Sequence, residues 1–187
     1  MAGSLLIFAW GNPSRGDDAL GPALVERLEA ARPGHPEWGE VALLTDFQLQ
    51  PEHALDLDGC ARVLFVDASV SCVPPYVFDR LQPVRDFGYT THAMKPEALL
   101  AVFRQVTGGE PPPAWLLTIR GLSFELGEPP AAAASAQLEA AVGFVDVHVA
   151  NELEVLLDQG GVRFGFLYGV VGVEHGLNGR AIDLADD

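Results

Sequence analysis

Basic residues are scarce in this chain: 11 Lys and Arg stand against 26 Asp and Glu over 187 residues, a formal charge of −15 at neutral pH. Nucleic acids and anionic membranes are held by basic patches, so neither is an expected partner. Cysteine is nearly absent. Cys60 and Cys72 are the only two, at a spacing that suits neither zinc nor a redox pair, and both lie in or near apolar stretches. Buried free thiols in a reducing compartment are the expectation. No stretch approaches the roughly 18 apolar residues of a membrane span. The first apolar run is too short for a signal peptide and has no basic region before it, so a cytoplasmic location is expected. Internal repeats are missing, as is any low-complexity segment beyond the alanines at 131–134. No serine stands in a nucleophile elbow, which leaves Ser-His-Asp catalysis unsupported.

What is abundant is apolar sequence, 49% of the chain, arranged in the βαβ manner. Leu5 to Ala9 reads as a first strand. Leu20, Leu24 and Leu28 recur every four residues, a helix stopped by Pro33-Gly34. Val41 to Leu44 is a short second strand, and Pro51 to Leu57 a helix that opens on its proline. Arg62 to Val66 is a third strand ending at Asp67. Tyr76 to Leu81 suits an added strand, 83–91 an exposed loop, Lys95 to Val106 a helix and Trp115 to Ile119 a further strand. From Ser135 to Leu157 the residues Leu138, Val142, Val145, Val149, Leu153 and Leu156 form one apolar stripe. Gly143 inside it costs about 1 kcal/mol relative to Ala, so a close packing contact or a bend is expected there. The pattern predicts a single three-layer α/β domain over residues 1–160. Its mostly parallel, twisted central sheet has about five strands, with helices on both faces. Residues 161–187 form a Gly-rich, apolar C-terminal extension that suits an extra strand, a docking segment or a disordered tail.

The chemistry concentrates after the first strand, in Gly11-Asn12-Pro13-Ser14-Arg15-Gly16-Asp17-Asp18. The glycine spacing is that of a phosphate loop, but Asp17 and Asp18 stand where such a loop carries Lys and Ser or Thr. Two carboxylates repel phosphate and attract a cation. Strands one and three of a parallel sheet deliver their carboxyl ends to the same edge, where open α/β sheets keep their ligands. Asp18 and Asp67 therefore converge there by topology, and His92, just before the helix at Lys95, starts close by. Two carboxylates and an imidazole suit a hard-to-borderline cation with open positions. Each residue also has a structural reading: an Asp at a helix start is ordinarily a cap, which fits Asp17 better than Asp18. Asp46, closing the second strand at that edge, suits either a substrate contact or a helix cap. Arg15 suits either a pair with Asp17 or a guide for a substrate carboxylate. His35, His53, His148 and His175 read as surface or packing residues.

At these positions the chain resembles the [NiFe]-hydrogenase maturation endopeptidases. The family's opening motif, G-N-x-x-x-x-D-D/E-x-x-G after a strand, is matched from Gly11-Asn12 through Asp17-Asp18 to Gly21. Its V-D-A strand end is matched by Val66-Asp67-Ala68, and its D-x-Q-L segment by Asp46-Phe47-Gln48-Leu49 with Pro51-Glu52. The T-T-H context of its histidine is matched by Thr90-Thr91-His92, and its final strand and loop by Ile119-Arg120-Gly121 with Glu125-Leu126-Gly127. The similarity covers residues 4 to about 158. It implies a cytoplasmic, monomeric α/β protease whose Asp18, Asp67 and His92 contact nickel carried by the substrate, without a tightly bound metal of its own. That substrate is the precursor of a hydrogenase large subunit, from which a C-terminal extension is removed. Where the family often has Glu, Asp18 stands here, and the tail after Gly160 has no counterpart. The residues also admit a non-catalytic nickel-site assembly chaperone, or a metal-dependent hydrolase of small molecules.

Overall fold

The computed structural model describes residues 4–84 and 94–150. Five strands form one sheet in the order β2-β1-β3-β5-β4. Strand β1 (Leu5–Trp10) is buried along its whole length, which is why it reads as an unbroken apolar run rather than an alternation. Parallel neighbours flank it. On one side is β2 (Val41–Asp46), with Trp10 opposite Asp46. On the other is β3 (Arg62–Ser69), with Ala9 opposite Val66. Strand β5 (Ala114–Arg120) continues the parallel set, Asp67 lying opposite Thr118. The added strand β4 (Tyr76–Arg80) runs antiparallel on the far edge of β5. The expected mostly parallel five-stranded α/β sheet is therefore found, and the antiparallel β4 makes it mixed.

Helices cover both faces. On one, α1 (Leu20–Ala31) sets Leu20, Leu24 and Leu28 against Ile7, Val66 and Leu117. Helix α3 (Ala132–Ala150) adds Leu138, Ala141, Val145 and Val149 to the same core. On the other face, α2 (Pro96–Thr107) buries Leu99, Leu100 and Phe103 with Leu6, Phe8 and Phe65. A 3-10 helix, Pro51–Leu57, joins that second core through Ala54 and Leu57. The prolines at both helix starts occupy positions whose N–H would have no partner. Helix α2 ends at Gly108, which takes the left-handed conformation (φ 74°) that side chains disfavour.

Some expectations change. Helix α3 begins at Ala132, ahead of Ser135, and its continuation beyond 150 lies outside the described residues, as do residues 161–187. Gly143 has no close packing partner among the described residues: a Cβ built there meets none of them within 4 Å. Cys60 and Cys72 are free, as expected, but only half-buried, because both sit in the connections just outside the strands. Among the described residues no helix is long and apolar enough to cross a membrane.

Candidate active site

The carboxyl ends of β1, β2, β3 and β5 share one edge, and the turn after β1 is the part of that edge built most tightly. The Gly11 N–H donates to the Asp46 carbonyl at 3.1 Å, tying the ends of β1 and β2 together. Gly11 has φ 146°, and a Cβ there would stand 1.9 Å from the Asp18 carbonyl oxygen. No side chain fits, so glycine is required at the point where the turn closes on itself. The Asn12 N–H donates to Asp18 Oδ2 at 2.9 Å. A single turn of 3-10 helix, Gly16–Ala19, then leads into α1. The first turn of α1 crosses the strand ends so closely that a Cβ on Gly21 would meet the Trp10 carbonyl at 2.8 Å and the Val66 carbonyl at 3.2 Å. The glycines of the motif are thus a packing requirement that sets Asp18 beside the ends of β1 and β3.

Asp67 is brought to the same place from β3. It is largely buried, its Oδ1 accepts the Ala68 N–H at 2.8 Å, and the Trp10 indole N–H also faces it. Burial pushes its pKa up to about 6. The Ala68 N–H opposes that, the nearby Asp18 charge adds to it, and the Trp10 N–H opposes it again. Two carboxylates close enough to feel each other, one of them reluctant to ionise, form a centre that a cation relieves.

The neighbouring acid differs. Asp17 is 0% exposed. Its Oδ2 accepts the N–H groups of Leu122 (2.6 Å) and Ser123 (3.2 Å), and its Oδ1 accepts that of Ala131 (2.6 Å). Three charge-assisted bonds satisfy the buried charge. They pin the loop after β5 to the turn after β1. Arg15 helps from outside: its Nε donates to the Phe124 carbonyl at 3.3 Å, and no Arg15–Asp17 ion pair occurs among the described residues.

Asp46 ends β2 on the other flank of β1. Its Oδ1 accepts the Phe47 N–H at 2.5 Å and its Oδ2 lies 3.3 Å from His53 Nε2. His53 Nδ1 accepts the Gln50 N–H at 3.0 Å, so the neutral ring carries its proton on Nε2, facing Asp46. His53, read from the sequence as a surface or packing residue, does pack edge-on against Phe8 but also has an acid beside it. The 3-10 helix opening at Pro51 folds residue 53 back over the strand end, and the proline after Gln50 is the sequence signal for that return. His35 likewise packs and has acids beside it. It stacks on Trp38 and lies 2.8 Å from Glu37 and 3.4 Å from Asp146, the latter a contact from α3. His148 packs against Phe144, as a packing residue should. His92 and His175 lie outside the described residues. Among the described residues no group of three or more His, Cys, Asp or Glu is placed to hold a metal ion. The structure brings together Asp18 and Asp67, with Asp46 on the adjoining strand end.

This fold is that of [NiFe] hydrogenase maturation proteases of known structure. The maturation protease HycI of Thermococcus kodakarensis superposes with a TM-score of 0.60 at 21% identity, covering 80% of this chain and 93% of its own. The hydrogenase maturating endopeptidase HybD of E. coli gives 0.58 at 21% identity, with 84% and 94% covered. The hydrogenase 2 maturation peptidase of a Thaumarchaeota archaeon gives 0.54 at 25%, with 82% and 97% covered. No family model and no curated protein matches the sequence.

Proposed function

We propose that this chain is an endopeptidase that removes the C-terminal extension of a nickel-loaded [NiFe]-hydrogenase large-subunit precursor, reading the substrate's nickel as its recognition element. The observation that carries this reading is the meeting of Asp18 and Asp67 at the carboxyl edge of a sheet shared with maturation proteases. Both carboxylates are preset by backbone N–H groups, Asn12 for Asp18 and Ala68 for Asp67. His92 is assigned as the third ligand on the resemblance of its T-T-H context.

The chemistry follows from those positions. A hard-to-borderline cation suits two carboxylates and an imidazole. Nickel held in the precursor would be gripped by these side chains when the partners meet, which fixes the scissile bond relative to the sheet edge and supplies orientation. A carboxylate not engaged with the metal would take a proton from an attacking water. Asp46, with His53 holding one oxygen, contacts the substrate backbone beside this centre. Asp17 is assigned to holding the loop after β5 rather than to substrate, because both of its oxygens are already engaged there. Arg15 spends only its Nε on that loop, and its terminal nitrogens would guide a substrate carboxylate. The client precursor is the partner, and a monomeric protease with no tightly bound metal of its own meets the requirement.

The test is co-expression with a large-subunit precursor, with and without nickel, followed by intact-mass measurement. The expected outcome is loss of a C-terminal fragment only from the nickel-loaded form, and no loss with Asp18→Asn or Asp67→Asn. A precursor whose mass never changes sinks the peptidase assignment and leaves an assembly chaperone. Equal cutting of both forms removes nickel as the recognition element.

A further inference from the structure

Three loops leave the sheet at the edge that carries Asp18 and Asp67, after β2, β3 and β5. Each presents large apolar side chains to water: Phe47 (66% exposed) after β2, Val70 and Val73 after β3, and Leu122 and Leu126 (74% exposed) after β5. These five are half of the ten exposed large hydrophobic residues among the described residues, and all five lie in loops that leave the sheet at the edge of the acidic centre. Exposed apolar groups gathered on one rim mark a contact surface.

The loop after β5 is also tied down at both ends, which an idle loop has no reason to be. Asp17 accepts the N–H groups at both ends of it, from Leu122 and Ser123 and from Ala131. Gly16 N–H donates to the Glu128 carbonyl at 3.0 Å and Gly127 N–H to the Ser14 carbonyl at 2.7 Å. A charge is buried to fasten this loop to the turn that bears Asp18, and yet Leu122 and Leu126 face outward. Preorganising an apolar contact in this way lowers the ordering cost when a partner arrives.

The geometry points to an apolar collar, formed by Phe47, Val70, Val73, Leu122 and Leu126, that docks a protein partner whose apolar surface frames a cation. The charge complementarity is at the centre, where Asp18 and Asp67 repel each other until a positive centre enters. The size of the occupant follows from the sheet. Loops after β2 and β5 are separated by three strand spacings, roughly 14 Å at about 4.8 Å each. A free ion would satisfy the acids but leave the collar in water, and a small molecule would not reach both flanks. This inference rests on the proposed reading for the identity of the partner, the large-subunit precursor, but not for the existence of the surface.

The experiment measures the Kd of purified full-length protein for nickel-loaded large-subunit precursor by biolayer interferometry, alongside the intact mass of the precursor. Phe47→Ser and Leu126→Ser are each expected to weaken binding about tenfold, the range of an interface anchor. Val106→Ser, an exposed apolar residue at the last turn of α2, is expected to match wild type. Because these side chains are exposed, the thermal midpoints of all three variants should stay with wild type. Collar variants that bind within twofold of wild type overturn the collar, and continued loss of mass by the precursor would then leave the peptidase reading intact. Wild-type binding with collar-dependent Kd but no loss of mass keeps the collar and overturns the peptidase. Wild type that fails to bind overturns both.

Discussion

Two acidic regions meet in the turn after β1, and adjacent residues belong to different ones. In the first, Asp17 is wholly buried and three backbone N–H groups from the loop after β5 close on its carboxylate. In the second, Asp18 takes one backbone N–H, from Asn12, and faces Asp67 across the ends of β1 and β3. Residue type is the same in both. What separates them is how much of each carboxylate's hydrogen-bonding capacity the protein itself consumes. A saturated carboxylate fastens chain to chain. One with spare capacity, set against a second carboxylate, is free to receive a cation. The 3-10 turn makes this division, because successive residues there point in different directions.

The largest effect expected from breaking that division is on stability. Asp17→Ala would take the acceptor from three part-buried N–H groups, and a loss of about 2–4 kcal/mol is expected. Asp18→Ala removes the acceptor of a single bond and should cost about 1 kcal/mol. Denaturant unfolding of both variants measures the contrast. Equal losses would mean that the two acids share one structural role. On the proposed reading, Asp18→Ala nonetheless abolishes processing.

A second test uses pH. Asp67 has a folded pKa of about 6 against an ordinary 3.8. Between those values the native state binds a proton that the unfolded chain does not, so this group's contribution to stability falls as pH rises through about 4 to 6. Below about pH 4 both states are protonated and its penalty vanishes. Above about pH 6 the penalty is complete, with an upper bound of about 3 kcal/mol for a shift of roughly two units. Asp67→Asn has no such titration. It is expected to be as stable as wild type near pH 4 and more stable at pH 7–8. A stability difference independent of pH would mean that Asp67 sits in a more polar place than its burial indicates.

Much of this arrangement was legible before the structure. Strands buried on both faces write themselves as apolar runs, and parallel strands carry their closing residues to one edge, so the meeting of Asp18 and Asp67 followed from two short segments. The leucine spacing of α1 foretold its inner face for the same local reason. Contacts between distant parts of the chain were not legible. Asp17 is held by residues 105 to 114 positions away, and nothing in the local pattern of either segment announces the other. The Asp46–His53 pair was missed because it depends on the turn of the 3-10 helix at Pro51, not on a spacing seen in a regular helix. The antiparallel direction of β4 was also hidden, since an apolar run has no direction. Gly143 misled for a related reason: a glycine within an apolar stripe suggests a close neighbour, but it lies off the buried face that Leu138, Ala141 and Val145 define.

That glycine supplies the smallest and sharpest control on the comparison. At Gly21, where α1 crosses the strand ends, an added Cβ would meet backbone oxygens at 2.8 and 3.2 Å, and overpacking of this kind costs about 1–3 kcal/mol. At Gly143 the added Cβ would meet nothing within 4 Å among the described residues, so helix propensity decides, a gain of about 0.5–1 kcal/mol for alanine. Gly143→Ala should therefore raise the unfolding midpoint slightly and leave processing untouched. Gly21→Ala should lower the midpoint and disturb the ends of β1 and β3 together. A Gly143→Ala variant that loses stability would show that α3 bends there, and that the bend rather than helix propensity governs the position.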